Sequence, residues 1–394
     1  MHSLILAWAS WLLALMLPQQ QASVAFYEDE VTVAYPAELL ADGPFALDEA
    51  GISYHYASLT EGDWLPLHEQ LQTERRRLGL NDWLYAKLVH EVVAEMADFA
   101  GVNERRMVEL HLLTLAGFDT RLCYDEHEVL VYVHTADELF EVPLITDGER
   151  RYLNLSAALS PLRSTPRSLR MHPLRPLPDG RALSTDLSTL PRLTPSMQER
   201  TLRFRFRDSL YAVQLLSDRT IARYMSDYPF FAEGRYVEAP MSREPHARLL
   251  AELGALVRGR SEAEALALLA AFTRGAFVYK EDKESFGYSK PMIPDEVLYY
   301  PVSDCEDRSA LYFTLVRDLL DLPVVAIAYE DHLSVAVASD ELTGRPFRHD
   351  GRAYYVCDPT GPKTSARIGM PPAGYERQSF EVVASYAPAS SPQT

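Results

Sequence analysis

The chain has little cysteine, little lysine and, past its first residues, no long apolar run. Three cysteines in 394 residues, Cys123, Cys305 and Cys357, exclude a disulfide scaffold, and the odd count leaves at least one thiol without an intramolecular partner. Basic residues number 38 against 56 acidic ones, a formal charge of −18. That balance excludes a nucleic-acid-binding protein, which needs a net basic surface. Only five of the basic residues are Lys; the rest are Arg. There is no His-Glu-x-x-His, no Cys-x-x-Cys and no Gly-rich phosphate loop, so neither a metal nor a cofactor is expected. No later stretch reaches the roughly 20 apolar residues of a membrane span, so no stable membrane insertion is expected either.

What remains is a globular composition, 47% hydrophobic and 24% charged, over a length that allows two or three domains. Leu4 to Leu17 is an uncharged apolar run of 14 residues. Ser23-Val24-Ala25 then puts small residues at both positions that decide cleavage. Residues 1–25 therefore read as a signal peptide, cut after Ala25, that exports the protein to a bacterial periplasm or medium. A positively charged start is missing: no Lys or Arg lies in Met1–Leu4.

Residues 26–160 form a first α+β lobe. Within it, Asn81 caps a helix predicted from Asp82 to about Ala100, Asn103 opens another that stops at Gly117, and Glu128–His134 and Arg151–Leu155 alternate as strands. Residues 161–200, rich in Pro and Arg and without periodicity, read as a linker. Residues 201–386 form a second lobe. In its first strand Leu202, Phe204 and Phe206 alternate with Arg203, Arg205 and Arg207, whose side chains are expected to face water. Ser261 and Glu264 make a capping box before an Ala/Leu-rich helix. Residues 387–394 read as a disordered tail.

The stretch from Phe277 to Thr360 carries the chemistry. Ser303-Asp304-Cys305-Glu306-Asp307-Arg308 leads into a mostly apolar helix that Leu322-Pro323 stops. This order sets Cys305 in the first helical turn, where unpaired backbone N–H groups and the helix dipole favour a thiolate. Glu306 and Asp307 read as exposed carboxylates of that turn, favourable to the dipole and unfavourable to a nearby thiolate. His332 opens a strand 27 residues after Cys305, and Asp358 ends another 26 residues further on. If those strands pair antiparallel, the carboxylate reaches the imidazole, and Cys305, His332 and Asp358 become nucleophile, general base and orienter. Taken singly, a Cys is most often an inert small hydrophobe and Asp-Pro-Thr an ordinary turn. The three together, in this order and on these elements, favour a triad. Cys357 neighbours Asp358, so alternation points it to the opposite face and into the core. Tyr299 and Tyr300, in the loop before Cys305, are candidate oxyanion donors beside the Cys305 backbone N–H.

Cys305 with Arg308-Ser309-Ala310-Leu311, the Leu322-Pro323 stop, the His332 strand and Tyr355-Val356-Cys357-Asp358-Pro359-Thr360 resemble the transglutaminase-like superfamily. The resemblance covers about 100 residues, from Phe272 to Arg367, and extends loosely back to the Phe204 strand. It implies a papain-like α+β fold in the second lobe, with Cys305 as nucleophile, His332 as base and acid, and Asp358 as its orienter. Two departures bear on substrate preference. Ser303-Asp304 stands where many relatives have Gly before the Cys, and Tyr354-Tyr355 where a Trp is often found.

The first lobe echoes the second. Tyr124-Asp125-Glu126-His127 resembles Tyr329-Glu330-Asp331-His332 at an offset of 205, and Asp147-Gly148 resembles Asp350-Gly351 at 203. The echo predicts a helix followed by antiparallel strands over 104–155, matching 308–358. It also predicts a degenerate copy, because position 305 falls on Ala100 or Gly101 and position 358 on Leu153-Asn154-Leu155. The whole chain is thus expected to be an exported two-lobed α+β protein. Its activity would be thiol-dependent acyl transfer on a peptide or protein amide, hydrolytic first. Transamidation of protein glutamine, or a non-catalytic binding or scaffold role that keeps the fold, are the alternatives.

Overall fold

The computed structural model describes residues 19–40, 43–96, 101–160, 168–360 and 367–388. The apolar run Leu4–Leu17 and most of the 387–394 tail lie outside these residues. The fold is mixed α and β, and the chain divides into two compact units. One comprises residues up to 186 with 191–194 and 227–229. The other comprises 187–190, 195–226 and 230 onward. No described helix is long and apolar enough to cross a membrane.

The first unit opens with a hairpin of β1 (Gln19–Phe26) and β2 (Asp29–Pro36). Ala22, Val24 and Phe26 alternate inward and are buried, the period-2 pattern of a half-buried strand. The expected cleavage point after Ala25 lies inside β1, and a cut there would leave β2 without its hairpin partner. Helices α1 (Glu49–Glu61), α2 (Leu65–Leu78), α3 (Asp82–Glu95) and α4 (Val102–Leu115) follow. The Asn81 side chain caps α3 by accepting the Leu84 N–H at 3.0 Å. This helix ends at Glu95, and residues 97–100 are not among those described. Gly101, rather than Asn103, caps α4. Asn103 is used elsewhere: its side-chain oxygen accepts the Val129 N–H at 3.0 Å.

An antiparallel sheet completes the unit: β3 (Thr120–Tyr124), β4 (Val129–Thr135), β5 (Leu144–Asp147), β6 (Arg150–Asn154) and β7 (Arg170–Met171), in spatial order β5-β6-β4-β3-β7. Strand β7 lies in the stretch expected to be a linker. Met171 pairs with Cys123 and Arg170 with Tyr124, while His172, Leu183 and Thr185 are buried. Prolines forbid helix but suit an extended chain laid on a surface, and that is how this segment packs.

The second unit repeats the plan. A hairpin of β8 (Met197–Phe206) and β9 (Ser209–Asp218) comes first. Then come α5 (Arg243–Val257), α6 (Glu262–Gly275), α7 (Pro294–Tyr299) and α8 (Cys305–Leu315), the last extended by a π-type turn over Val316–Leu320. Ser261 caps α6, its hydroxyl accepting the Glu264 N–H at 3.3 Å. The sheet contains β10 (Val324–Ala328), β11 (Leu333–Val337), β12 (Phe347–His349), β13 (Arg352–Val356) and β14 (Glu381–Tyr386), in order β12-β13-β11-β10-β14. Leu266 and Phe272 of α6 and Leu311 and Phe313 of α8 pack with Val335 and Val337 on one face. Val325, Ile327, Ala336 and Val356 make the core of the other.

Strand order and register agree between the two sheets. Thr120 pairs with Val133 and Val324 with Val337, an offset of 324 − 120 = 204. The connecting turns agree as well: Asp125 N–H donates to Glu128 O and Tyr329 N–H to His332 O. In the outer hairpin Asp147 pairs with Arg150 and His349 with Arg352, an offset of 349 − 147 = 202. The register therefore sets Glu128 at the position of His332 and Ser156 at that of Asp358, while the helix caps match Gly101 with Asp304. Letter matching sets His127 against His332, one residue out, because pairing fixes register and chance identities do not. Glu128 is fully buried and ion-paired to Arg106 at 2.6 Å, so this position holds a structural ion pair in the first unit.

Candidate active site

Cys305 is the first residue of α8, after Asp304 at the cap. Residues i and i+4 share a helix face, and Cys305 and Ser309 both face the start of β11. The Ser309 hydroxyl donates to Leu333 O at 2.9 Å, and the Leu333 N–H is directed at the Cys305 sulfur. His332 immediately precedes. Its Nε2 donates to Asp358 Oδ1 at 3.2 Å, which leaves Nδ1 as the nitrogen free to act as a base. Asp358 is fully buried and is held by three other donors: Ser334 Oγ at 3.2 Å, Thr360 N at 3.3 Å and Thr360 Oγ1 at 2.7 Å. Pairing of Ala336 with Val356 and of Val337 with Tyr355 sets this proximity. Arg274 Nη2 donates to the Asp358 carbonyl at 2.6 Å, fixing the strand end from behind.

The sulfur itself is engaged differently from the sequence expectation. Cys305 Sγ donates to Glu306 Oε2 at 2.8 Å, and it makes no hydrogen bond to His332 among the described residues. Burial, and then the Glu306 charge, hold the thiol above its ordinary value, with the Leu333 N–H pulling the other way. The helix N-terminus does not outweigh these effects. Asp307 is also not the exposed carboxylate expected: it is fully buried, accepting from Met292 N at 2.9 Å and Asp304 N at 3.1 Å. Burial and Glu306 push it well above the carboxylate range.

Neither Tyr299 nor Tyr300 hydrogen-bonds the sulfur among the described residues. The Tyr299 carbonyl accepts from Arg200 at 2.7 Å, and the Tyr300 ring packs on Phe286 with Lys290 over its face. The tyrosines whose ionisation the Cys305 charge opposes are Tyr279 and Tyr375. The Tyr375 ring lies 4.9 Å from the His332 ring and its hydroxyl donates to Asp331 at 2.9 Å. Arg308 stacks over Tyr279 and donates to Phe277 O and Ser303 Oγ, holding the approach to α8. Cys357 is fully buried and pushed up to about 12 by that burial, as a core thiol is.

The sequence motifs also miss a carboxylate cluster. Oxygens of Asp282, Asp304 and Glu306 lie within 4.8 Å of one another. Asp304 Oδ1 is buried without a hydrogen-bond partner. Burial and the neighbouring Asp307 and Glu306 push Asp304 up to about 11, and burial pushes Asp282 up to about 6. An all-oxygen, strongly acidic donor set suits a hard cation such as Ca²⁺ or Mg²⁺, and these three residues could hold one. The chain matches no family model, no curated protein and no solved structure.

Proposed function

We propose that the second unit is a thiol-dependent acyl-transfer enzyme of transglutaminase-like fold, acting on amide bonds, and that the first unit is a degenerate copy of it. The observation that carries this reading is the 3.2 Å contact between His332 Nε2 and buried Asp358, on a strand whose first N–H addresses the Cys305 sulfur. His332 Nδ1 takes the thiol proton and Cys305 attacks the amide carbonyl. The imidazolium then protonates the leaving amine, giving a thioester that water hydrolyses. Hydrolysis comes first because water is abundant and no amine-binding groove is readable in the sequence; transamidation would use the same thioester. The corresponding first-unit positions, Val102, Glu128 and Ser156, carry neither a thiol nor an imidazole and suit a packing or binding role. Export to the periplasm or medium remains part of the proposal.

One observation favours the non-catalytic alternative: the Glu306 carboxylate on the sulfur opposes a thiolate. A cation on Asp282, Asp304 and Glu306 would offset that charge. Peptide-library profiling of the full chain, with a labelled amine present, tests the reading. Cleavage or amine incorporation that disappears in Cys305→Ala supports an enzyme, and the product separates hydrolysis from transamidation. Identical profiles for wild type and variant would favour the scaffold.

A further inference from the structure

A cleft of about 720 Å³ lies between β8 and α6. Its lining includes neither Cys305 nor His332. Among the described residues strand β8 pairs only with β9, and residues 203–207 line the cleft. At Gly275 a Cβ would sit 3.3 Å from Phe204 Cβ, and the missing side chain lets helix and strand close together at that end. Five arginines line the walls: Arg203, Arg205, Arg207, Arg274 and Arg367. In a chain with a formal charge of −18, such a concentration of guanidinium needs a physical reason.

Counter-charge within the protein does not supply it. Arg207 pairs with Glu264 at 2.6 Å. Among the described residues Arg203, Arg205 and Arg367 have no acidic partner. Arg203 and Arg205 stand on one face of the strand about 7 Å apart, a spacing at which like charges repel, and Arg207 follows in the turn. Arg274 is half-buried, its one hydrogen bond goes to a neutral carbonyl, its Nε is buried without a partner, and its burial outweighs the nearby Asp358 charge. A desolvated cation is unfavourable until an anion compensates it. Guanidinium forks match the geometry of carboxylate and phosphate oxygens, and the cleft volume falls in the ordinary range for small-molecule sites.

We propose that this cleft binds a small, multiply charged oxyanion ligand, phosphate- or carboxylate-bearing, through Arg203, Arg205, Arg274 and Arg367. The cleft is lined by neither Cys305 nor His332, though Arg274 also holds the Asp358 carbonyl, and the proposal does not depend on the thiol chemistry. Calorimetric titration and thermal unfolding of the full chain, with pyrophosphate and with citrate against NaCl at matched ionic strength, test it. The pyrophosphate and citrate arms separate a phosphate-bearing from a carboxylate-bearing ligand, and saturable binding of either supports the proposal. Binding should weaken about tenfold for each guanidinium removed in Arg203→Ala/Arg205→Ala. These side chains are exposed, so the variant should unfold like wild type in NaCl. Arg367→Gln gives an independent second variant. No binding of either ligand beyond the NaCl control, or binding that survives in both variants, overturns it.

Discussion

Glu306 Oε2 sits 2.8 Å from the Cys305 sulfur and accepts its hydrogen bond. The residue after Cys305 thus adds to burial in holding the proton on the thiol. Removing that charge should release it. Glu306→Gln should shift the pH profile of Cys305 alkylation to lower pH and speed labelling at neutral pH by at least about tenfold, the effect of about one pKa unit. An unchanged profile would mean that burial alone controls the thiol.

Cation binding should act in the same direction. With Asp282, Asp304 and Glu306 engaged by Ca²⁺, the sulfur loses its carboxylate neighbour. Alkylation of chelator-treated protein should quicken on adding Ca²⁺, and Asp282→Asn should abolish that response. No response in wild type, with Mg²⁺ tried as well, would leave the three carboxylates a purely structural cluster.

The triad positions should differ in severity. Cys305→Ala should abolish turnover, and His332→Ala should lower it by about a thousandfold or more. Asp358→Asn should cost less, because Thr360 Oγ1, 3.3 Å from His332 Nε2, still contacts the ring. Equal losses for His332→Ala and Asp358→Asn, with unchanged unfolding temperatures, would contradict the assigned roles.

A pH dependence of stability follows from Asp295 of α7. It is fully buried, accepts from Ser242 N at 3.0 Å, and is pushed by burial up to about 7. The folded state thus holds a proton that the unfolded chain releases near pH 4. Stability from this group is full below about pH 4 and is lost as pH rises to about 7. Asp295→Asn should flatten that part of the unfolding-temperature profile. An unaltered slope would show that Asp295 ionises normally.

The β1 hairpin should matter to the first unit. A chain beginning at Phe26 loses buried Ala22 and Val24, and should be less stable than one beginning at Gln19 by about 2 kcal/mol or more. Equal unfolding temperatures would show the strand to be dispensable.

Local signals were legible in the sequence and long-range ones were not. The Asn81 and Ser261 caps, the Leu202–Phe206 alternation and the helix–strand–strand order around Cys305 and His332 rest on neighbours in the chain, and periodicity reports them. The His332–Asp358 contact was legible because antiparallel pairing brings the ends of adjacent strands together. Asp282 reaches Asp304 across 21 intervening residues, and Tyr375 reaches His332 across 42; neither has a sequence period. The β1 strand was hidden for another reason. Small and β-branched residues at 22–25 serve a cleavage site and a half-buried strand equally well. Arg274 lay in a plain helical pattern, and only the fold aims it at the Asp358 carbonyl.

The central claim is that His332 and Asp358 make Cys305 a nucleophile. Its most direct test is the pH dependence of Cys305 alkylation, from pH 5 to 9 in saturating Ca²⁺, for wild type and His332→Ala, with the labelled peptide identified by mass. The account predicts that wild-type Cys305 still reacts near pH 6, well below the roughly 8.5 of an ordinary thiol, and that His332→Ala loses this acidic reactivity. Superimposable profiles for the two proteins, both rising only above pH 8, would contradict it.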